Sequence, residues 1–138
     1  MTMTREALAP GDEVAVLRPG TITRTTLALF AGASGDHNPI HIDLDSARAS
    51  GMDDVFAHGM LSMAYLGRLL TSAVRQDQIR EFSARFTAIT PVLAEPVLRA
   101  AVRELTTVGG EDRAVLDITA DLADGTRTLA GTAVVALS

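Results

Sequence analysis

The stretch His58-Gly59-Met60-Leu61-Ser62-Met63-Ala64-Tyr65-Leu66-Gly67-Arg68-Leu69-Leu70-Thr71-Ser72-Ala73-Val74 decides the fold. Its apolar residues, from Met60 and Leu61 through Met63, Ala64, Tyr65 and Leu66 to Leu69, Leu70, Ala73 and Val74, cover nearly the whole circumference of a helix. A helix that is apolar all round belongs inside protein rather than at a surface. At about 15 residues it is too short for a bilayer span, which takes about 20. The sequence therefore predicts a long helix from Met60 to about Val74 with something wrapped around it.

The wrapping follows directly in the chain. Phe82, Ala84, Phe86 and Ala88 alternate with Ser83, Arg85 and Thr87, and Leu98, Ala100 and Val102 alternate with Arg99, Ala101 and Arg103. Ala114, Leu116, Ile118, Ala120 and Leu122 do the same against Val115, Asp117, Thr119 and Asp121. Alternation with a period of two is the mark of half-buried strands. The run from Arg127 to Leu137 is apolar on much of both faces, as a central or interface strand requires. Gly109-Gly110 and Asp124-Gly125 read as hairpin turns, and Pro91 and Pro96 mark the join between the first two strands.

Upstream, residues 1–12 are polar and turn-rich, and Glu13–Arg18 is a candidate first strand closed by Pro19-Gly20. Thr23 is placed to cap a short helix, with Ile22 and Leu27 at the spacing of a hydrophobic staple and an expected stop near Gly32. Asp43 is placed to cap a second helix, Leu44 to Ser50, with Gly51 as its stop. The expected class is α+β: one domain over residues 1–138, an antiparallel sheet of about five strands curled around one long buried helix.

Composition narrows the function. A net charge of −5 argues against a general nucleic-acid surface. The absence of cysteine excludes disulfides, thiolate catalysis and cysteine zinc sites. The N-terminal residues lack a basic region followed by an apolar run, and no apolar stretch is long enough to span a membrane, so a cytoplasmic protein without membrane contact is expected.

The chemistry-bearing residues gather in Ser34-Gly35-Asp36-His37-Asn38-Pro39-Ile40-His41. Gly35 and Pro39 make this a rigid loop rather than a strand or helix. A carboxylate and an imidazole that converge on one water can orient it and exchange a proton with it, which makes Asp36 and His41 candidates; loop-holding hydrogen bonds are the competing reading. His58-Gly59 opens the long helix, where unpaired amides favour negative charge. A backbone N–H at Gly59 can donate to a carbonyl oxygen that gains charge, although Gly59 is also read as a residue that allows tight packing. Pro39 denies His37 and His41 the helical presentation that would make their spacing a zinc signal, so no metal site is expected and His37 is expected at the surface. Ser34 and Ser62 lie in no nucleophile elbow, the glycines form no phosphate loop, and Met60 and Met63 are read as core filling.

The Ser34–His41 stretch, followed by Ala57-His58-Gly59-Met60-Leu61, resembles the hydratase motif of the MaoC-like (R)-specific enoyl-CoA hydratases and dehydratases. Gly11-Asp12, Phe86-Thr87-Ala88 and Pro91-Val92 extend the likeness over nearly the full chain, which is most similar to small single-domain members, including catalytic subunits of mycobacterial (3R)-hydroxyacyl-ACP dehydratases. The resemblance implies a hot-dog fold and a hydro-lyase that adds water reversibly to trans-2-enoyl thioesters. It implies that Asp36 and His41 activate the water and supply the C2 proton, and that the Gly59 N–H binds the thioester carbonyl. Asn38 and Pro39 would fix the loop, and His58 would support the helix start. No cofactor is implied beyond CoA or an acyl-carrier protein on the substrate, and the expected assembly is a homodimer or a heterodimer with a related subunit. Two alternatives stand beside this: a hot-dog acyl-thioesterase, and a non-catalytic acyl-binding partner subunit. Family members usually carry Gly-Asp after the Pro-Val turn where this chain has Leu93-Ala94-Glu95-Pro96, so the resemblance does not define this loop at the mouth of the acyl tunnel.

Overall fold

A computed structural model describes residues 3–138 of the chain; Met1 and Thr2 of the polar lead-in lie outside the described residues. The elements run β1 (Glu13–Leu17), α1 (Arg24–Ser34), α2 (Leu44–Ala49), α3 (Gly59–Ala73), β2 (Ile79–Phe86), β3 (Val97–Val108), β4 (Glu111–Asp121) and β5 (Arg127–Ala136). The strands form one antiparallel sheet in the order β1-β3-β4-β5-β2. Its inner face carries the alternating residues read from the sequence. Leu98, Ala100, Leu116, Ile118, Leu129, Ala133 and Val135 pack on Leu66, Leu69 and Leu70 of α3 as one buried core. The lead-in, expected to be merely polar, contributes Met3 to that core, and Met3 accepts a hydrogen bond from the Ser138 amide.

The helix is not wrapped on every side. The sheet buries the side of Leu66, Leu69 and Leu70, while Met60 is 56% exposed and Ala64, Arg68 and Thr71 also face outward in a stripe spaced three or four residues apart. Apolarity all round α3 thus leaves one face available to something besides this sheet. No helix among the described residues is long and apolar enough to cross a membrane.

A second core holds the site in place. Ile22 and Leu27 meet there with Ala47, Val55, Ala57, Leu61 and Val92, joining α1, α2 and the start of α3. Thr23 caps α1 as expected, with Thr26 completing a reciprocal capping pair. The helix continues past Gly32 to Ser34 and stops at Gly35, which takes φ 75° and donates its N–H to the Ala31 carbonyl. Only the glycine with the left-handed geometry ends it. Asp43 caps α2, accepting from the Asp45 amide.

Two backbone features need special residues or tolerate unusual ones. Gly131 on β5 lies so close to β2 that a Cβ there would fall 2.0 Å from the Ser83 carbonyl oxygen. Leu93, in the loop where this chain departs from the resembling family's usual Gly-Asp, adopts φ 69°. The left-handed turn is held with a leucine in it, and Leu93 N–H and Ala94 C=O pair with Ile22 in the second core.

Candidate active site

The loop from Ser34 to His41 is built by a repeated local device. Ser34 Oγ accepts from the Asp36 amide at 3.1 Å, Asp36 Oδ1 from the Asn38 amide at 3.2 Å, and Asn38 Oδ1 from the Ile40 amide at 3.2 Å. Each side chain mimics a backbone turn two residues on, which is what Ser, Asp and Asn do well. Pro39 then opens a 3-10 turn, Pro39–His41, whose first position needs no N–H. The loop-holding and chemical readings of Asp36 are therefore not exclusive, because one carboxylate oxygen is used in the loop and Oδ2 is left for other work.

His41 is brought inward, 7% exposed. Its Nδ1 lies 2.7 Å from the Phe56 carbonyl oxygen, and a carbonyl only accepts, so Nδ1 carries the proton and Nε2 is left as the basic nitrogen. The Phe56 ring meets the imidazole edge to face at 5.0 Å. His58 stacks on the other side, with ring centroids 4.0 Å apart and planes at 29°.

His58 is 1% exposed and occupies the N-cap of α3, but its side chain caps nothing. Its Nε2–H donates instead to the main-chain carbonyl of Asp36 at 3.2 Å, and Phe30 of α1 meets the ring at 4.9 Å. The support expected at the helix start is given to the Ser34–His41 loop. Burial holds the His58 imidazole below its ordinary pKa, partly opposed by the bond to Asp36 and reinforced by His41. The neutral ring then has an unprotonated Nδ1, a buried acceptor with no partner among the described residues.

Asp36, His41 and His58 each bring a nitrogen or carboxylate oxygen within 4.8 Å of the others. That spacing alone would admit a metal ion. A histidine binds metal along the ring plane, however, and two stacked rings do not aim their in-plane lone pairs at one point; one nitrogen of each is also taken by a carbonyl. The cluster is better built for holding a water and moving a proton. His37 is exposed, as expected.

On the other side of the His58-Gly59 step lies a cavity of about 370 Å³, with Gly59, Phe56 and Leu129 in its walls and Phe86, Ala88 and Ile89 along its side. Asp36, His41 and His58 are not in this wall; they adjoin it through Phe56, whose carbonyl orients His41, and through the start of α3. Ser62 and Thr90, both buried, sit in the lining with their hydroxyls 3.4 Å apart. The segment behind the cavity is pinned by the Phe56–Pro91 bridge and by the Ala57 N–H donating to the Thr90 carbonyl at 2.9 Å. The Phe56 carbonyl and the His58 contact could not be found from sequence, because a main-chain acceptor leaves no side-chain signal. Phe86 gave the signal of a core strand residue and is 52% exposed beside Gly59.

Comparison with known proteins gives the family and the fold. Residues 6–121 match the model of the MaoC like domain. A 3-hydroxyacyl-thioester dehydratase Z of Mycobacterium tuberculosis is 41% identical over 63 residues, 46% of this chain and 42% of that protein; the chain thus spans less than half the length of this relative. Among solved structures, the R-hydratase PhaJ1 from Pseudomonas aeruginosa superposes with a TM-score of 0.84 at 23% identity, covering 99% of this chain and 86% of the other. An (R)-hydratase from A. caviae involved in PHA biosynthesis gives 0.80 at 25% identity, with coverage of 96% and 99%.

Proposed function

The chain belongs to the family of MaoC-like domains, with the hot-dog fold of its structural neighbours, and we propose that it catalyses reversible (R)-specific hydration of trans-2-enoyl thioesters. The reverse reaction is dehydration of (3R)-hydroxyacyl thioesters. The observation that carries the proposal is the convergence of Asp36 and His41 within 4.8 Å, on one side of the Gly59 step that opens the cavity on the other.

In this reaction the Gly59 N–H donates to the thioester carbonyl, whose oxygen gains enolate charge as the C2=C3 bond polarises. A water held between the Asp36 carboxylate and His41 Nε2 attacks C3 as one of them removes its proton. The proton delivered to C2 comes from the same pair, so water adds across the double bond on one face and no net proton is lost. Asn38 and Pro39 hold the loop in register. His58 keeps the loop and the His41 ring at a fixed separation while remaining uncharged. The tight His41–Phe56 bond supports this division, because it leaves Nε2 as the only nitrogen of His41 free to take a proton.

The acyl group is carried by CoA or an acyl-carrier protein and needs no other cofactor. The proposed setting is the cytoplasm, with the chain paired to a second hot-dog subunit. A thioesterase would attack the carbonyl carbon and release thiol; the Asp36–His41 pair is built to position a water beside an acid/base group, and both readings are separated by a thiol-trapping dye. Crotonyl-CoA should lose its enoyl absorbance on mixing with the protein without thiol release, and the product should be the (R)-3-hydroxyacyl thioester on chiral analysis. Asp36→Asn and His41→Ala should each lower the rate by about a hundredfold or more, the range of a lost acid/base group. Full activity in both variants, across crotonyl and longer or branched enoyl thioesters, would refute the mechanism.

A further inference from the structure

Five polar side chains are buried among the described residues: His41, His58, Ser62, Thr90 and Thr128. Three of them are bound to main-chain carbonyls, His41 to Phe56, His58 to Asp36, and Thr128 to Ala120 at 3.3 Å. Ser62 and Thr90 have only each other, and 3.4 Å is long for a bond between hydroxyls. The contrast also holds along α3. The Thr71 and Ser72 hydroxyls return to carbonyls of their own helix, at 3.1 Å and 2.7 Å. Ser62 is the only one of the three that is buried, yet it makes no such bond and reaches across to Thr90. Each hydroxyl carries one proton. Whichever of the pair donates to the other, one proton is left without an acceptor among the described residues.

This spare donor lies at the floor of the cavity beside Gly59. Phe86 and Ile89 stand exposed at the mouth, and Gly59 is open to solvent there too. Ser62 and Thr90, 4% and 5% exposed, lie deeper with Ala57 and Leu129. Ser62 follows Gly59 by three residues, which sets the two on one face of α3 about 5–6 Å apart. The carrier of a thioester is large and polar and stays outside the mouth, so a thioester held by its carbonyl at Gly59 sends its acyl chain toward the floor. An extended chain covers that distance in about four bonds, which brings the fifth or sixth atom of the acyl chain to the two hydroxyls. A methylene at that place leaves a buried hydroxyl proton without an acceptor, at a cost in free energy. An oxygen there accepts it.

We propose that Ser62 and Thr90 form a hydrogen-bond-donating subsite for an oxygen in the acyl chain, so that the preferred thioesters carry an acceptor oxygen beyond the reacting C2=C3 bond. A purely apolar floor would tell one chain from another only by size. A floor with an unspent donor discriminates by chemistry, because a ligand that lacks the oxygen leaves the site's own polar group unpaired. The inference rests on the reading of this cavity as the acyl site. It does not depend on the hydration step, since the subsite acts on the bound chain whether or not water is added.

The test is isothermal titration calorimetry of the full chain with octanoyl-CoA and its 5-oxa, 6-oxa and 7-oxa analogues, in which one methylene is replaced by an ether oxygen. An ether oxygen only accepts, so it responds to donors alone, and these saturated ligands undergo no hydration. Wild type binds the 5-oxa or the 6-oxa analogue about tenfold more tightly than octanoyl-CoA. S62A/T90V removes both donors, and Val keeps the shape of Thr; in this variant the order reverses, because an ether oxygen is then buried without a partner. The affinity ratio is taken within one preparation, so a loss of folded protein cancels. An oxygenated ligand that never binds more tightly than octanoyl-CoA to wild type overturns the proposal, and so does a preference undiminished in the double variant. If none of the four ligands binds, the acyl-site reading falls with it. If the preference is found but no 2-enoyl thioester is hydrated, the subsite stands and the proposed reaction does not.

Discussion

Substituting Gly59 by alanine probes the proposed oxyanion wall at a known geometric cost. A Cβ on Gly59 would sit 3.1 Å and 3.2 Å from two ring carbons of Phe86, where a relaxed carbon–carbon contact is about 3.5–4.0 Å. The ring must therefore retreat by about 0.5 Å. It can do so cheaply, being half exposed and backed by no protein in the single chain. Gly59 is the first residue of α3 with ordinary helical geometry, and Ala is favoured over Gly in helices by up to about 1 kcal/mol. Gly59→Ala should thus change stability by less than about 1 kcal/mol, a shift of a few degrees in Tm. The N–H is retained, so any loss of activity comes from displaced surfaces at the carbonyl site. A misplacement of about 1 Å near a reacting group can cost about a hundredfold, and half that displacement corresponds to about tenfold in kcat/KM for crotonyl-CoA. If the displaced surface is the Phe86 ring, the same substitution in a Phe86→Ala background should lose less than about twofold. That is a coupling of about 1 kcal/mol in a double-mutant cycle. Equal losses in both backgrounds would refute the steric route through Phe86 and leave the Cβ itself as the obstacle.

Other predictions follow from the same geometry. Gly131→Ala forces a Cβ to within 2.0 Å of the Ser83 carbonyl oxygen and 2.7 Å of the Ala84 Cα; both are backbone, so β2 must part from β5, and denaturant melts should lose about 3 kcal/mol or fail to yield folded protein. Burial depresses the His58 pKa, so the unfolded chain gains a proton near pH 6.5 that the folded chain refuses. Stability should be full above that pH and fall as the pH drops from 6.5 toward the folded pKa. Denaturation curves should show this slope reduced in His58→Gln, and an equal slope would remove His58 as its source. Thr23→Ala removes the acceptor of the Thr26 amide while leaving the Thr23 N–H on Thr26 Oγ1, and should cost about 1 kcal/mol in a thermal melt. Asn38→Ala frees the Ile40 amide, and because the loop is exposed it should lower hydration activity far more than Tm.

The sheet and α3 were legible because burial on one face imposes a period of two on strands, and Leu98, Leu116 and Ile118 kept to it. Periodicity records that a side chain is apolar, and not which neighbour covers it. Met60 and Phe86 read as core for that reason and turned out exposed. The stop of α1 was misplaced for a related reason. Gly32 and Gly35 are the same residue in sequence, and only the capping bond to Ala31 and the turn at Ser34 choose between them. In the site, the residue types of Asp36, His41 and Gly59 marked them as candidates. What sets the tautomers of His41 and His58 did not appear, because it is done by main-chain carbonyls of Phe56 and Asp36.

The main-chain carbonyl and the two carboxylate oxygens give Asp36 separate jobs that substitution can take apart. Its carbonyl anchors His58, its Oδ1 closes the turn to Asn38, and its remaining oxygen is the one available to a water. Asn in its place keeps the carbonyl and, through its amide oxygen, the turn; it loses only the negative charge and the ability to take a proton. Asp36→Asn should therefore melt within about 1 kcal/mol of wild type while hydration falls by about two orders of magnitude or more. Asp36→Ala removes the turn acceptor as well and should melt lower than Asp36→Asn, by about 1 kcal/mol for one lost hydrogen bond. If the two variants instead melt alike and below wild type, the carboxylate holds the loop by charge. The division between architecture and proton transfer at Asp36 would then be wrong.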